Sequence, residues 1–297
     1  PPVILSAVQK AIQSITDAQF ILCGDENIIL PALESLTEQQ RQRTVIHHCE
    51  QIVEMGEPPT SALRNKKQSS MWKALQLVES GEADACVSAG NTGALLTMAF
   101  YLLKTLPGID RPALVSDMPT ASHHRVFLLD LGANVNCTSE ILFQYGVMAS
   151  VLAEQISGIE SPRVALLNVG EEDIKGNAQV KYADQLFKNA KGINYIGYVE
   201  GDDIFTDYAD VVVTDGFTGN IALKSCEGLA KLVINEVKRQ SQANFFSRMM
   251  ARIALPLLKT VYNRVNPDQY NGASLLGLRG IVIKSHGNAS AEAFYYA

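Results

Sequence analysis

Apolar stretches of strand length alternate with helical patterns along most of the chain. Five of them run into a glycine-containing polar loop and then into helix-compatible sequence: DACVSAGNTGALL, RVFLLDLGANVNCTSEIL, RVALLNVGEEDIKG, ADVVVTDGFTGNIALK and GIVIKSHGNASAEAF. Repeated strand, loop and helix order favours right-handed crossovers, which produce a largely parallel sheet covered by helices on both faces. The pattern therefore predicts an α/β fold.

Residues 209–224 show this pattern most clearly. The β-branched run 211–213 suits a buried strand, and the apolar pattern stops at Asp215. Gly216 and Gly219 permit a tight loop, and we expect the next helix to begin near Asn220. Because the first N–H groups of a helix lack partners within the helix, such a loop favours an anion such as phosphate.

Shorter patterns fill the first third of the chain. They predict a helix over 3–16, a strand over 19–23, a helix from about residue 28, a strand over 44–48 and a helix that ends at Gly81. Three cations, Arg64, Lys66 and Lys67, precede the last of these helices. They form either a solvated face or a group that contacts an anion, and the sequence leaves both interpretations open.

Polar residues follow the apolar run in all five repeated stretches. Carboxyl ends of parallel strands meet at one edge of a sheet, so we expect the following residues on one edge: Asn91, Asn134, Glu171, Asp215 and His286. A single loop of this kind is explained equally well by a tight turn with Asn capping the next helix. Five similar loops favour a shared ligand site.

Composition narrows the class of protein. The chain has 297 residues, 47% hydrophobic and 19% charged, enough for one large α/β domain or two smaller ones, and we predict a single catalytic domain over residues 1–297. A net charge of −6 argues against nucleic-acid binding. Five cysteines without CxxC spacing argue against zinc and disulfides and favour buried thiols in a reducing cytosol. No apolar run approaches the ~20 residues that span a bilayer, and the pattern of the opening residues leads us to expect no signal peptide.

The segment Val237 to Pro267 differs from the rest of the chain. It has no Asp or Glu, and its cations are interleaved with large apolar side chains. We expect Pro256 to break or kink it into two helical pieces that form a protrusion from the domain. A basic amphipathic pair on an acidic protein suits an anionic membrane surface, and burial in a dimer explains the same pattern.

The polar loops limit the chemistry. The sequence has no GxSxG, HExxH, Walker or GxGxxG motif in the required context. A rim of polar side chains and backbone N–H groups can hold phosphate and stabilise a developing oxyanion. Phosphate is largely anionic near neutral pH and a thiolate leaves readily, so thioester chemistry needs mainly positioning. We therefore predict no metal site and no cofactor.

Five motifs resemble those of the phosphate acyltransferases called PlsX. They are SAGNTGA (88–94), LDLGANV (129–135), NVGEEDIKG (168–176), DGFTGN (215–220) and NPDQYNGASLLGLRGIVIKSHG (266–287), and the resemblance runs from about Pro58 to the end and more loosely from Pro1. The family pattern extends past both ends of the printed sequence, with an opening strand and an Asp-x-Met-Gly-Gly-Asp loop before Pro1 and a final helix that continues after Ala297.

The resemblance implies that the enzyme converts acyl-[acyl carrier protein] and phosphate into acyl phosphate for phospholipid synthesis. It also implies a three-layer α/β/α fold related to phosphotransacetylases and to isocitrate/isopropylmalate dehydrogenase-like enzymes. The resemblance further implies a homodimer that is cytoplasmic and associates peripherally with the membrane. It also implies a downstream membrane acyltransferase that acylates glycerol 3-phosphate.

Site roles follow from the motifs. We expect phosphate to be held by Gly90, Asn91, Thr92, Gly93, Gly219 and Asn220. Lys284 and His286 are candidates for anion binding or for protonating the departing sulfur, and together with Asn220 and Asp215 they form the candidate catalytic set. The thioester arm or its oxyanion is assigned to Asn134, Asn168 and Lys175, and Glu171 is a further candidate for binding substrate or phosphate. We expect Asp215, Asp268 and Asn271 to orient these groups.

Two other functions fit the same pattern. One is an isocitrate-dehydrogenase-like NAD(P) oxidoreductase, because the fold does not fix the function. The other is a membrane-surface scaffold that binds an acyl carrier without turning it over.

Overall fold

A computed structural model describes residues 2–122 and 124–297 of the chain. The elements up to residue 119 are α1 (Pro2–Ser14), β1 (Phe20–Gly24), α2 (Glu26–Leu33), α3 (Glu38–Gln42), β2 (Thr44–His48), α4 (Pro59–Asn65), α5 (Ser70–Ser80), β3 (Ala85–Ser88), α6 (Thr92–Leu103) and β4 (Ala113–Pro119). Next come β5 (Arg125–Leu129), α7 (Ser139–Ser157), β6 (Arg163–Leu167), α8 (Ala178–Asn189), β7 (Asn194–Val199), β8 (Val211–Val213), α9 (Gly216–Gln242) and α10 (Phe245–Val265). The chain ends with β9 (Ala273–Leu276), β10 (Ile281–Lys284) and α11 (Ala291–Tyr296).

The chain forms two compact units. The first contains Pro1–Ser116 and Asn271–Ala297. Its strands follow the order β3-β10-β9-β4, in which β3 and β10 are parallel and β9 is antiparallel to both of its neighbours. A separate parallel pair, β1 and β2, belongs to the same unit and packs with α1 and α2 around a small apolar cluster that includes Ile12 and Leu33.

The second unit contains Asp117–Tyr270. Its strands follow the order β5-β8-β6-β7, and all of the pairs are parallel. The Val211–Val213 run that the sequence assigned to a buried strand forms β8, and each of its three side chains is 0% exposed. A continuous apolar run is required there because the side chains of this strand point alternately to two faces of the sheet, and both faces are buried.

All five repeated stretches form the predicted strands, and the prediction of an α/β fold with a mostly parallel sheet is confirmed. The prediction that the polar loops share one edge of the sheet stays a prediction, because the chain divides into two compact units. The loops after β3 and β10 belong to the first unit, and those after β5, β6 and β8 belong to the second. The single catalytic domain over residues 1–297 stays a prediction.

Two helix boundaries correct the sequence analysis. Helix α9 begins at Gly216 rather than near Asn220, because the Asp215 carboxylate caps it by accepting the N–H of Thr218 at 2.9 Å. Helix α10 continues through Pro256, so the expected break does not lie at this proline. The break lies instead at residues 243–244, where the Asn244 side chain accepts the N–H of Ser247 and starts α10.

The solvent exposure of α10 explains its tolerance of Pro256. Proline removes one backbone hydrogen bond, and on an exposed helix the orphaned carbonyl can bind water. No described side chain of α10 is buried. Over residues 2–122 and 124–297, no helix is both long enough and apolar enough to cross a bilayer.

Candidate functional site

The loops after β3 and β10 lie side by side in the first unit. The strands are parallel neighbours with Lys284 opposite Ser88, and the Ser285 N–H donates to the Ser88 carbonyl at 2.9 Å. Further along, a Cβ added to Gly287 would lie 3.7 Å from the carbonyl oxygen of Ala89. The structure therefore brings together the predicted residues of these two loops.

Asn91 is a structural anchor of the first loop. Its Nδ2 donates to the carbonyl oxygens of Glu54, Met55 and Glu57 at 3.3, 2.9 and 2.9 Å. Its Oδ1 accepts the N–H of Ala94 at 3.0 Å and so caps α6. The side chain is 9% exposed and its amide is engaged by the protein, so any phosphate at this loop must be held by the backbone N–H groups of the first helical turn.

Two glycines allow neighbouring side chains to pack closely against the start of α6. A Cβ at Gly93 would lie 2.8 Å from Pro59 Cγ, and one at Gly90 would lie 2.5 Å from Met71 Cε. Thr92 and Gly93 are the first two residues of α6, where an α-helix has no internal acceptor for the N–H groups. The predicted phosphate loop is therefore shaped by close packing from α4 and α5.

Lys284 and His286 follow one another at the end of β10. Lys284 is 7% exposed, and its Nζ donates to the Ser285 carbonyl. His286 is exposed, and its Nδ1 accepts the Asn288 N–H at 3.2 Å, so the neutral ring carries its proton on Nε2. Asn271 fixes this loop, because its Oδ1 accepts the His286 N–H at 2.9 Å and its Nδ2 donates to Ser285 Oγ at 2.7 Å.

The second unit contains a buried carboxylate that the sequence analysis did not assign. Asp130 follows β5 and is 0% exposed. Its Oδ1 accepts the N–H groups of Gly132 and Ala133 at 3.2 and 2.9 Å, and its Oδ2 accepts the backbone N–H of Asn134 at 2.6 Å. The Asn134 side chain also donates to Asp130 at 3.2 Å and to the Tyr145 hydroxyl at 2.6 Å. This clamp fixes the LDLGANV loop from inside.

The clamped loop in turn holds the start of α9. The Asn134 carbonyl accepts the Gly216 N–H at 2.8 Å. Gly219 lies so close that an added Cβ would be 2.0 Å from the Asp130 carbonyl oxygen, so only glycine fits there. Exposed Asn220 lies against Gly132, with its Cβ 3.5 Å from the position that a Gly132 Cβ would occupy. The structure thus brings Asn134, Asp215, Gly219 and Asn220 together.

The loop after β6 carries the remaining predicted arm-binding residues. Asn168 Nδ2 donates to the Gly170 carbonyl at 3.0 Å, which shapes the loop. Lys175 and Glu172 form an exposed ion pair at 2.7 Å. The hydrogen bond between them is the main reason that the pKa of Lys175 is raised and that of Glu172 is lowered. Glu171 is exposed on the same loop. Strand β6 is the parallel neighbour of β8, so this loop shares its edge with the Asp215 loop.

Asp268 is separated from the other predicted residues of the second unit. It lies in the 3₁₀ turn Pro267–Tyr270. The Tyr270 ring centroid is 5.8 Å from the guanidinium of Arg125, the first residue of β5. Asp130 follows the opposite end of that strand, so the structure does not bring Asp268 to Asn134 and Asp215.

The cysteines show no sign of activation. Burial raises the pKa of the Cys23 and Cys86 thiols to about 12. Burial, together with the charge of Asp130, raises the pKa of Cys137 to about 11. At neutral pH these groups are thiols rather than nucleophilic thiolates. In the part of the chain that the structure describes, no group of three or more His, Cys, Asp or Glu side chains is arranged to bind a metal ion.

Solved structures define the class of fold. A phosphotransacetylase from Streptococcus pyogenes matches with a TM-score of 0.65 at 18% identity, covering 99% of this chain and 87% of that one. A branched-chain phosphotransacylase from Enterococcus faecalis matches with a TM-score of 0.59 at 18% identity, covering 100% of this chain and 92% of that one. The chain therefore has the fold of the phosphotransacylases.

Sequence relatives define the family. Residues 1–297 match the model of a family described as fatty acid synthesis protein. A phosphate acyltransferase from Pseudoalteromonas atlantica is 60% identical over 297 residues, which is 100% of this chain and 87% of that protein. One from Alkalilimnicola ehrlichii is 53% identical over 294 residues, covering 99% of this chain and 85% of that protein. The chain belongs to the phosphate acyltransferase family and is an acyltransferase that acts on phosphate, as its motifs predicted.

Proposed function

We propose that the protein transfers a fatty acyl group from acyl-[acyl carrier protein] to inorganic phosphate, and that the acyl phosphate formed is used for phospholipid synthesis. A phosphate oxygen attacks the thioester carbonyl carbon, a C–O bond forms, the C–S bond breaks, and the carrier thiolate takes up a proton. The observation that carries this proposal is the adjacency of the loops after β3 and β10, which combine first-turn N–H groups with Lys284 and His286.

In the first unit, these groups suit an anionic nucleophile. The N–H groups of Thr92 and Gly93 carry the positive end of the α6 dipole, which favours phosphate. The Lys284 amine lies at the end of the neighbouring strand β10 and, when protonated, adds a positive charge beside this helix start. His286, with a proton on Nε2, can donate to the developing oxyanion or to the leaving sulfur.

In the second unit, the Asp130 clamp supports a separate role. It holds Asn220 and the N-terminal turn of α9 in fixed geometry. We assign Asn220 to phosphate or the oxyanion, because an exposed amide on a rigid helix start is preorganised for that contact. Asn168 and Lys175, on the neighbouring loop, are assigned to the thioester arm.

Association with the membrane and with a second copy is part of the proposal. Large apolar side chains of α10 are exposed, among them Phe245 at 83%, Ile253 at 70% and Leu257 at 68%. They alternate with Arg248, Arg252 and Lys259, which suits an anionic lipid surface. Residual apolar surface on the α9–α10 pair suits a homodimer. The protein would then act at the cytoplasmic membrane and supply acyl phosphate to a membrane acyltransferase that uses glycerol 3-phosphate.

One assay separates this proposal from its rivals. The protein is incubated with palmitoyl-[acyl carrier protein] and ³²P-phosphate, and palmitoyl phosphate is measured by chromatography. We expect labelled product in proportion to the carrier consumed. Carrier binding without phosphate-dependent loss of thioester would favour the scaffold instead. An absorbance change with NAD or NADP and a hydroxy acid, in the absence of labelled product, would favour the oxidoreductase.

A further inference from the structure

Helices α4, α5 and α6 of the first unit present a basic and aromatic surface on this acidic chain. We define the carrier face as Leu63, Lys67, Phe100, Tyr101, Lys104 and Arg279; the Trp72 ring beneath it is 7% exposed. Phe100 and Tyr101 are 44% and 50% exposed at the end of α6, and they line an open cavity of about 240 Å³ together with Leu63 and Thr97. Exposed aromatic side chains around a cavity are typical of interaction sites.

The cations of this face are tied to its aromatic rings. Lys67 Nζ lies 5.7 Å from the Trp72 ring centroid, and Lys104 Nζ lies 4.7 Å from that of Tyr101. The Trp72 and Tyr101 rings are 6.0 Å apart. Arg279 Nε donates to the Thr105 carbonyl at 2.9 Å, which brings a third cation to the end of α6. The three cations therefore surround one continuous surface.

Lys104 adopts a backbone conformation that favours glycine. Its φ is 59° with ψ of 173°, and it is the only non-glycine residue with positive φ among residues 2–122 and 124–297. Such a conformation costs a non-glycine residue free energy, and residues of this kind concentrate at functional sites. A lysine at this position keeps an ammonium group beside the aromatic rings where glycine would be less strained.

We propose that the carrier face is the docking surface for an acidic, helical acyl carrier protein, which rests on the function proposed above. Charge complementarity identifies the partner: three exposed cations lie around an apolar cavity on a chain with a net charge of −6. The cavity receives an apolar side chain of the carrier, and the cations pair with its carboxylates. Phe100 and Tyr101 follow Thr92 by eight and nine residues of α6, which is about 12–14 Å along the helix axis and suits a long flexible thioester arm.

The test compares two thioesters on the variant Lys67→Glu/Lys104→Glu/Arg279→Glu. With palmitoyl-[acyl carrier protein], KM should rise by on the order of tenfold or more, and its salt dependence should weaken, because steering cations are lost. With palmitoyl-pantetheine, which has no carrier protein, turnover should be unchanged. A control variant, Lys191→Glu/Lys231→Glu/Arg239→Glu, changes the net charge equally at exposed positions of the second unit and should leave both KM values unchanged.

A single substitution, Lys104→Gly, distinguishes loss of the docking cation from loss of folding. Glycine accepts a φ of 59° without strain, so Lys104→Gly removes the ammonium group and keeps the backbone. Its melting temperature should not fall, while KM for the carrier substrate should rise.

Each other outcome has a definite meaning. If the wild-type protein converts neither thioester, the proposed function fails before docking is tested. If it converts both, and the triple variant keeps its KM for the carrier or the control variant shifts it equally, the docking proposal is wrong. If the triple variant loses only its binding to anionic phosphatidylglycerol vesicles, the face contacts lipid and the docking proposal is again wrong.

Discussion

Buried Asp130 shows how one residue can define a site without facing the ligand. Its carboxylate accepts backbone N–H groups from Gly132, Ala133 and Asn134 and is 0% exposed. A carboxylate can accept from several donors at once, whereas an amide must present one NH₂ group to the same donors. Loop geometry and stability therefore depend on the charge of this single residue.

Replacement of Asp130 by Asn should lower the free energy of unfolding by about 1–3 kcal/mol, because at least one buried N–H loses its acceptor. The measurement is urea unfolding followed by circular dichroism. Asp215→Asn is the matched control, since Asn caps a helix as well as Asp does and the change there should be small. Equal destabilisation by the two substitutions would contradict the clamp.

Replacement of Asn220 by Ala tests a residue that is exposed and assigned to the ligand. Turnover should fall on the order of 100-fold, the usual cost of one removed oxyanion-type donor. The free energy of unfolding should change by less than about 0.5 kcal/mol. Asn189→Ala, at the exposed end of α8, should change neither. If Asn220→Ala lowers both the free energy of unfolding and turnover, Asn220 has a structural role and does not contact the ligand.

The candidate site could be predicted from the sequence in part. Asp215 was recognised because it stands between a β-branched run and two glycines, and Asp130 carries a similar signal, directly after the apolar run of β5 and before a Leu-Gly-Ala-Asn loop. The sequence could not show that the Asn91 side-chain amide donates hydrogen bonds to carbonyl oxygens 34 to 37 residues earlier in the chain. Such long-range partners depend on tertiary packing.

Strands and helices were predicted where the local pattern was strong. Unbroken apolar runs identified β5, β6 and β8, whereas β4, β7 and β9 were not assigned. Strand β9 follows Asn271 and Gly272 and contains Ser274, so its antiparallel pairing depends on its neighbours rather than on its own pattern. The sequence could not show that α10 continues through Pro256, because the tolerance of this proline depends on the solvent exposure of the folded helix.

We expect the α9–α10 pair to bind an anionic membrane through α10. Apolar burial and roughly 1 kcal/mol per cation near the surface should together hold α10 on an anionic bilayer. The variant Arg248→Glu/Arg252→Glu/Lys259→Glu should therefore no longer float with phosphatidylglycerol vesicles, and raised salt should weaken wild-type binding. The variant Phe246→Ser/Leu257→Ser should bind less even at low salt.

Acyl transfer in solution serves as the control for these variants, because α10 lies outside the loops assigned to phosphate. Activity should be retained in both. Unchanged flotation with dissociation of a dimer, measured by analytical ultracentrifugation, would identify α10 as a subunit interface and contradict the membrane prediction.

The whole molecule combines an acidic surface with two basic regions. A net charge of −6 coexists with the cations of α10 and with those of the carrier face, and in both regions the cations accompany exposed apolar side chains. A uniformly acidic protein would repel an acidic carrier and an anionic membrane. Local charge rather than net charge therefore determines which partners the protein can approach.

In the proposed reaction, phosphate itself attacks the thioester without a covalent enzyme intermediate. The raised pKa of Cys137, about 11, supports this claim because the cysteine nearest the Asp130 clamp is a thiol at neutral pH. The most direct measurement is the release of carrier thiol from palmitoyl-[acyl carrier protein], followed rapidly with and without phosphate. We predict no release and no burst without phosphate, and one thiol per palmitoyl phosphate when phosphate is present. A burst of one thiol per enzyme chain without phosphate would show a covalent acyl-enzyme and contradict the account.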